Sequence, residues 1–138
     1  STNATAGAVI TMESVGSKPG FLDGPDPAND IQSVADGVTL APGTAGYGWK
    51  WADVGGLDAN TGYSYAGLGG AATVTTNSDC FASDITSCAI PTSLTSIFSV
   101  DGSIDGGRGK LEIGAAIDGT MVPGIYTDIL QFIATATF

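Results

Sequence analysis

At 138 residues, with 43% hydrophobic and 13% charged side chains, the chain is long enough for one folded domain and too apolar for a disordered one. Fourteen acidic residues against four basic ones, with no histidine, give a net charge of −10. This charge repels nucleic-acid phosphates and anionic lipid headgroups, so we expect neither as a partner. The sequence also lacks a window of about 18 apolar residues, so we expect no membrane span.

Short strands joined by tight turns are predicted along the chain, because its 21 glycines and six prolines disfavour helices. Apolar alternation predicts a first strand over 6–15, and turn residues predict a loop over 23–30. The later predicted strands are 31–34 and 38–41, paired as a hairpin around Asp36-Gly37, and 47–52, 61–65, 71–76, 94–100, 110–117 and 125–138. A short helix over 91–97 stays open as an alternative. About eight strands in a single domain over 1–138 predict an all-β, immunoglobulin-like or jelly-roll β-sandwich with negligible helix.

The final segment, 125–138, has the composition of a long strand. Asp128 is its only charged residue, and β-branched and aromatic side chains dominate it. One face is predicted to carry Tyr126, Leu130, Phe132, Ala134, Ala136 and Phe138. The opposite face carries Ile125, Ile129 and Ile133, so we expect the start of this strand to be covered on both sides.

Two cysteines, Cys80 and Cys88, are separated by seven residues in Cys-Phe-Ala-Ser-Asp-Ile-Thr-Ser-Cys. Zinc is disfavoured because no histidine is present to complete a ligand set. The spacing is too wide for a thioredoxin-like redox pair. We therefore predict a structural disulfide, and with it an oxidising, extracellular location.

The sequence contains no obvious set of residues for acid–base or nucleophilic catalysis. Without histidine, neither a Ser-His-Asp nor a Cys-His arrangement can be built. The only two glutamates, Glu13 and Glu112, each fall on the outward side of a predicted strand, which favours surface charges over a glycosidase pair. We expect the protein not to be an enzyme.

Two acidic loops carry the oxygen ligands that calcium prefers. The first contains Asp23, Asp26, Asn29 and Asp30, and the second contains Asp101 and Asp105. The same residue types are common in solvated turns, so calcium sites and plain turns are both left open. We expect no other cofactor.

An aromatic cluster occupies the middle of the chain. Tyr47, Trp49 and Trp51 share one strand face, and Tyr63 and Tyr65 share another. Exposed, these rings could stack on sugars as carbohydrate-binding modules do, with surface glycans as partners; buried, they would form core or a subunit contact. Asn3-Ala4-Thr5 is a sequon that predicts glycosylation of Asn3 in a host with the machinery.

The stretch Asp118-Gly119-Thr120-Met121-Val122-Pro123-Gly124-Ile125-Tyr126-Thr127-Asp128, with the apolar strand after it, resembles a known signature. It is similar to the closing "proline, any, glycine, any, tyrosine, any, aspartate" strand of spore-coat-protein-U-like and fimbrial-type secreted domains. Here Pro123 and Gly124 are adjacent, a one-residue departure. The opening 1–7 is similar to a strand-and-turn segment of such domains. The resemblance implies an immunoglobulin-like sandwich that often polymerises by donating a terminal strand to a neighbour.

The segment 1–15 is the predicted donor strand. Its small and apolar residues before a Gly-Pro linker are Ala4, Ala6, Ala8, Ile10 and Met12. Filling an open groove of the next copy is β-augmentation, and the head-to-tail contact yields a filament. Pairing within its own domain is the alternative. We therefore expect a structural subunit of an extracellular filament or pilus-like surface assembly of identical copies. A carbohydrate-binding or adhesive module and a viral decoration protein remain as alternatives.

Overall fold

The computed structural model describes residues 6–51, 73–75, 86–102 and 111–138, with 73–75 and 86 described as backbone only. Within these ranges the chain forms strands and one short 3-10 turn, Pro27–Asn29. The strands are β1 (Ala8–Ser14), β2 (Phe21–Leu22), β3 (Ile31–Gln32), β4 (Val38–Thr39), β5 (Gly46–Trp51), β6 (Thr73–Thr75), β7 (Thr86–Ser87), β8 (Thr95–Asp101), β9 (Leu111–Ala116) and β10 (Leu130–Ala136). The prediction of an all-β, sandwich-like fold with negligible helix is confirmed. In the described ranges we find no helix with the length and apolar character needed to cross a membrane.

The larger sheet is antiparallel and has the strand order β10-β1-β8-β6. β1 pairs with β10 along its whole length, from Ala8 opposite Ala136 to Ser14 opposite Leu130. On its other side β1 pairs with β8 through a β-bulge, where the register skips Ile97. The bulge allows Ile97 to turn into the core, where it is buried.

A second layer, β5 paired with β9, lies against the core. Strand alternation puts Tyr47, Trp49 and Trp51 on one face of β5, and all three are buried. Trp51 meets Phe98 of β8 edge to face with ring centroids 6.3 Å apart, so the two layers are in direct contact. The buried core cluster consists of Met12, Ile31, Tyr47, Trp49, Trp51, Cys88, Ile90 and Ile97.

Glycines on the back of β5 allow a third segment to pack closely. A Cβ at Gly46 would lie 2.8 Å from the Val34 side chain and 3.1 Å from that of Leu40. A Cβ at Gly48 would lie 2.8 Å from the carbonyl oxygen of Cys88. The absence of side chains at these two glycines therefore makes room for the side chains of Val34 and Leu40 and for the backbone at the end of β7.

The predicted hairpin around Asp36-Gly37 is wrong. β3 pairs with β2, and β4 pairs with β7, so the two strands flanking this turn do not pair with each other. The turn is instead held to the end of β7: the Ala89 N–H donates to Asp36 Oδ1 at 2.9 Å, and the Gly37 N–H donates to the Ser87 carbonyl at 3.0 Å.

The helix considered over 91–97 is also absent, since β8 begins at Thr95.

The last strand is shorter and more open than its pattern predicts. β10 begins at Leu130, and residues 123–129 lead into it with a single bridge from Thr127 to Asp23. Ile125, Ile129 and Ile133 are 81%, 62% and 38% exposed, so the expectation that both faces are covered is wrong here. Ile125 and Ile129 precede the strand, and Ile133 points to the face opposite the one on which Met12 is buried, where no described layer covers it.

Candidate assembly surface at the terminal strands

The predicted donor strand lies inside its own sheet. β1 is flanked by β10 and β8 of the same chain, and the Ala6 N–H extends the pairing by donating to the Thr137 carbonyl at 3.1 Å. Ala8, Ile10 and Met12 lie opposite Ala136, Ala134 and Phe132 in the register. Met12 is fully buried, while Ala4 lies outside the described residues. Of the two alternatives left open, this single chain adopts the pairing within its own domain.

Asp128 joins the start of β10 to both layers. Its Oδ1 accepts from the Ser14 hydroxyl at 2.9 Å and from the Ile129 N–H at 2.7 Å. Its Oδ2 accepts from the Tyr47 hydroxyl at 3.1 Å. The Gly20 N–H in turn donates to Ser14 Oγ at 3.0 Å. The carboxylate therefore fixes the end of β1, the start of β5 and the entry to β10 relative to one another.

This environment changes the acid–base behaviour of Tyr47. Burial raises the pKa of its phenol well above the ordinary 10.0, and the charge of the Asp128 carboxylate and the hydrogen bond to it raise it further. Both effects disfavour the phenolate, so the neutral donor form is the stable one in the folded chain. The hydrogen bond between Tyr47 and Asp128 therefore has a structural role.

Tyr126 stabilises the chain just before β10 through a second set of contacts. Its hydroxyl donates to the Val122 carbonyl four residues upstream at 2.7 Å, and its ring lies over Gly24, where a Cβ would approach it to 2.5 Å. A tyrosine whose hydroxyl bonds to backbone a few residues upstream is a recurrent corner of β-sandwich folds. The tyrosine and aspartate of the signature singled out in the sequence therefore both stabilise the entry to the last strand.

β10 forms one edge of the larger sheet, because among the described strands it pairs only with β1. The Val15 N–H donates to the Ile129 carbonyl at 2.8 Å, and the Thr137 N–H donates to the Gly7 carbonyl at 2.9 Å. In an antiparallel ladder successive residues alternate between bonding to one side and to the other. Since the odd-numbered positions face β1, the outward-directed backbone groups belong to Leu130, Phe132, Ala134 and Ala136.

The side chains along this edge are apolar and uncharged. Phe132 is 47% exposed although its register partner Met12 is buried, because β10 has no further strand beside it among the described residues. Asp128 is the last charged side chain of the sequence, and its carboxylate is engaged as described. The sequence shows that 129–138 is uncharged. It does not show that this segment lies at a sheet edge, because that position depends on strand order.

The first acidic loop is stabilised by its own contacts. Lys18 Nζ lies 2.5 Å from Asp30 Oδ2, and Asp30 Oδ1 accepts from the Gly24 N–H at 3.0 Å. The Gly24 hydrogen bond, followed by the contact with Lys18, lowers the pKa of Asp30. Asp26 caps the 3-10 turn by accepting from the Ala28 N–H, and Asp23 accepts from the Ser17 hydroxyl at 2.5 Å.

The structure does not gather the predicted calcium ligands into a cluster in the part that it describes. Among those residues, no group of three or more histidine, cysteine, aspartate or glutamate side chains could hold a metal ion. In the first loop, the Asn29 N–H bonds to the Asp26 carbonyl at 2.8 Å. In the second loop, Asp101 is the exposed end of β8, and Asp105 lies outside the described residues. Calcium stays a prediction.

The aromatic row of β5 belongs to the core. Trp49 Nε1 donates to the Ala89 carbonyl at 2.9 Å, and Trp51 Nε1 donates to the Ile97 carbonyl at 3.3 Å. With Tyr47 buried beside them, these rings form no exposed platform for a sugar. Tyr63, Tyr65 and the sequon at Asn3 lie outside the described residues.

Cys88 sits in the core next to Trp49. The two residues exchange backbone hydrogen bonds of 2.7 and 3.1 Å, and the Cys88 side chain is buried. Cys88 takes part in a disulfide. Cys80 lies outside the described residues, so its pairing with Cys88 stays a prediction.

Comparison with known proteins identifies no relative. No protein-family model, no curated protein and no solved structure matches this chain. Function is therefore inferred from the sequence and from the contacts described above.

Proposed function

We propose that this chain is a structural subunit of an extracellular filament, in which β1 of one copy completes the larger sheet of the next. The observation that carries the proposal is the position of β1. It is a central strand that joins two strands from later in the chain, and it contributes the fully buried Met12 to the core. The site it fills would be an open groove without it, with unpaired edges on β10 and β8.

The link between β1 and the rest of the fold suits exchange. Residues 15–20 contain Gly16, Pro19 and Gly20, and six residues reach up to about 20 Å when extended. The hydrogen bonds of Ser14 to Asp128 and of Val15 to Ile129 can form equally well with a neighbouring copy. The bond from the Gly20 N–H to Ser14 Oγ belongs to the closed form. Apart from this one bond, exchange replaces like contacts with like, as in domain swapping.

The carbohydrate-binding alternative has no comparable support. Two of its stacking candidates, Trp49 and Trp51, are buried with their indole N–H groups bonded to backbone carbonyls. No observation on the described residues favours a viral decoration protein. The extracellular location rests on the disulfide of Cys88, because such bonds persist in oxidising compartments.

A register-matched disulfide tests strand exchange directly. Glu13 and Gln131 are partners across β1 and β10, at a spacing of about 5.5 Å between Cα atoms that a disulfide can bridge. In a double variant, Glu13→Cys with Gln131→Cys, exchanged copies become covalently linked head to tail. We expect a ladder of multimers on a non-reducing denaturing gel and fibres by electron microscopy.

The single variant Glu13→Cys is the matched control, since it has no thiol in register and should give no ladder. A double variant that yields only internally crosslinked single chains, together with uniform particles at high concentration, would contradict the proposal. On the denaturing gel, reductant should collapse the ladder to single chains, because only the added disulfide holds the copies together there.

A further inference from the structure

The outer edge of β10, which no described strand covers, is not used by strand exchange. We propose that it is a second contact surface, on which β10 of another copy of this chain pairs antiparallel around a two-fold axis. This contact needs no opening of the fold, since β10 remains paired with β1 on its inner side. The result is one continuous sheet shared by two copies, an isologous contact that closes on itself.

The backbone pattern allows this pairing in a centred register. The outward-directed groups belong to the even-numbered residues, and a two-fold axis at Ile133 brings even positions opposite even positions. Phe132 then pairs with Ala134 of the second copy, and Leu130 pairs with its Ala136. All seven residues of the strand are used. Residues that exchange hydrogen bonds in an antiparallel ladder face each other in this way.

The side chains are also self-complementary in this register. On the core side a large residue meets a small one, as Phe132 meets Ala134. On the outer side the two Ile133 side chains meet at the axis, and Gln131 meets Thr135. Cross-strand apolar and polar pairs of this kind stabilise a sheet, whereas like charges placed opposite each other destabilise it. Phe132 and Ile133, 47% and 38% exposed in the single chain, would both gain cover.

Charge permits a second copy of this chain as the partner, whose side chains are complementary in this register. Two molecules of net charge −10 repel each other over most of their surfaces, but the run 129–138 carries no charged side chain. The nearest acid on the outer face is Glu13, opposite Gln131 on β1. The two Glu13 residues would lie about 20 Å apart from strand and residue spacings. This distance exceeds the Debye length of about 8 Å at physiological salt, so their repulsion is screened.

The first test uses single cysteines on the exposed outer face. In Ile133→Cys the two new thiols meet at the axis, where the Cα atoms of facing residues are about 4.5 Å apart, and mild oxidation should give a covalent pair of chains. In Gln131→Cys, the matched control, the two thiols are offset by about 14 Å along the strands and should not join. Equal crosslinking of both variants, or of neither, would overturn the proposal.

A second test removes one N–H from the outer edge of β10 and leaves the edge that pairs with β1 intact. Ala134→Pro deletes an outward-directed donor and leaves the bonds to β1, so the chain should stay folded. We expect the dissociation constant of the pair in sedimentation equilibrium to rise by about tenfold or more. Ile125→Lys, before the strand, should leave it unchanged. A wild-type chain that forms no such pair, or an unchanged dissociation constant in Ala134→Pro, would refute the proposal. Neither test depends on the multimer ladder that reports strand exchange.

Discussion

The hydroxyl of Tyr47 on β5 donates a hydrogen bond of 3.1 Å to the carboxylate of Asp128, 81 residues further along the chain. The same carboxylate accepts from Ser14 at the end of β1. One acidic side chain therefore connects the two layers of the fold at the point where the last strand begins. Both surfaces proposed for assembly depend on the strands that this contact positions.

Tyr47→Phe should destabilise the fold while keeping the buried ring. The change removes a hydrogen bond to a charged acceptor, a contribution of about 1.5 to 3 kcal/mol. Tyr126→Phe is the matched control: it removes an exposed bond to the neutral Val122 carbonyl and should lower stability by about 1 kcal/mol or less. Urea unfolding of the three proteins measures the difference. A larger loss of unfolding free energy in Tyr126→Phe would show that the contact with Asp128 is the weaker of the two hydrogen bonds.

Alkaline pH should unfold the protein through the same residue. The folded chain holds the pKa of Tyr47 above the unfolded value of 10.0, so the folded state binds this proton more tightly. Its contribution to stability is complete below pH 10 and decreases as the pH rises beyond that value. The free energy of unfolding, measured between pH 8 and 11, should fall more steeply for the wild type than for Tyr47→Phe. Identical slopes would contradict the raised pKa.

Gly48→Ala should destabilise because the new methyl group has no room. Its Cβ would lie 2.8 Å from the Cys88 carbonyl oxygen and 3.0 Å from Ser87 Cβ. Overpacking of this kind costs about 1 to 3 kcal/mol. Gly119→Ala is the control, since nothing lies within 4 Å of a Cβ there, and it should change stability by less than about 0.5 kcal/mol. Equal losses of stability in chemical denaturation would mean that the residues packed against Gly48 can move to accommodate the methyl group.

Local pattern predicted several elements well. The alternation of apolar residues located β1, β5 and β9, and parity placed Leu130, Phe132 and their neighbours on the face that β1 shares. Each of these depends on a period-two pattern over six or seven residues, which a sheet with one buried face imposes. The all-β class followed from the glycine and proline content together with these patterns.

Long-range contacts decided the features that pattern could not predict. The Asp36-Gly37 turn satisfies hairpin chemistry, but its flanking strands pair elsewhere because the turn bonds to Ala89 and Ser87, about fifty residues away. Whether the rings of β5 were core or platform depended on which layer covered them. The exposure of Ile133 depends on which face of the larger sheet the second layer covers. Strand order is not encoded in any single segment.

Calcium, if it binds the first acidic loop, must compete with Lys18. The ammonium group already lies on Asp30 Oδ2, so the loop carries its own cation. We expect calcium at millimolar concentration to raise the melting temperature of Lys18→Met more than that of the wild type, because the variant leaves the Asp30 carboxylate without its cation. Lys50→Met, which removes the contact of Lys50 with Glu112 at 3.7 Å, is the control and should respond as the wild type does. A larger shift in the wild type than in Lys18→Met would contradict this competition.

Reduction should weaken the fold by releasing the bond predicted between Cys80 and Cys88. Closing so short a loop contributes about 2.5 kcal/mol on the loop-entropy model. Cys88 is buried and bonded through its backbone to Trp49, so its release also loosens the second layer. Reductant should lower the unfolding midpoint of the wild type and leave that of the double variant Cys80→Ala with Cys88→Ala unchanged. Mass spectrometry of unreduced, alkylated protein provides the direct measurement. Two alkylated thiols in the native protein would remove both the bond and the argument for an extracellular location, since that location is inferred from an oxidised pair.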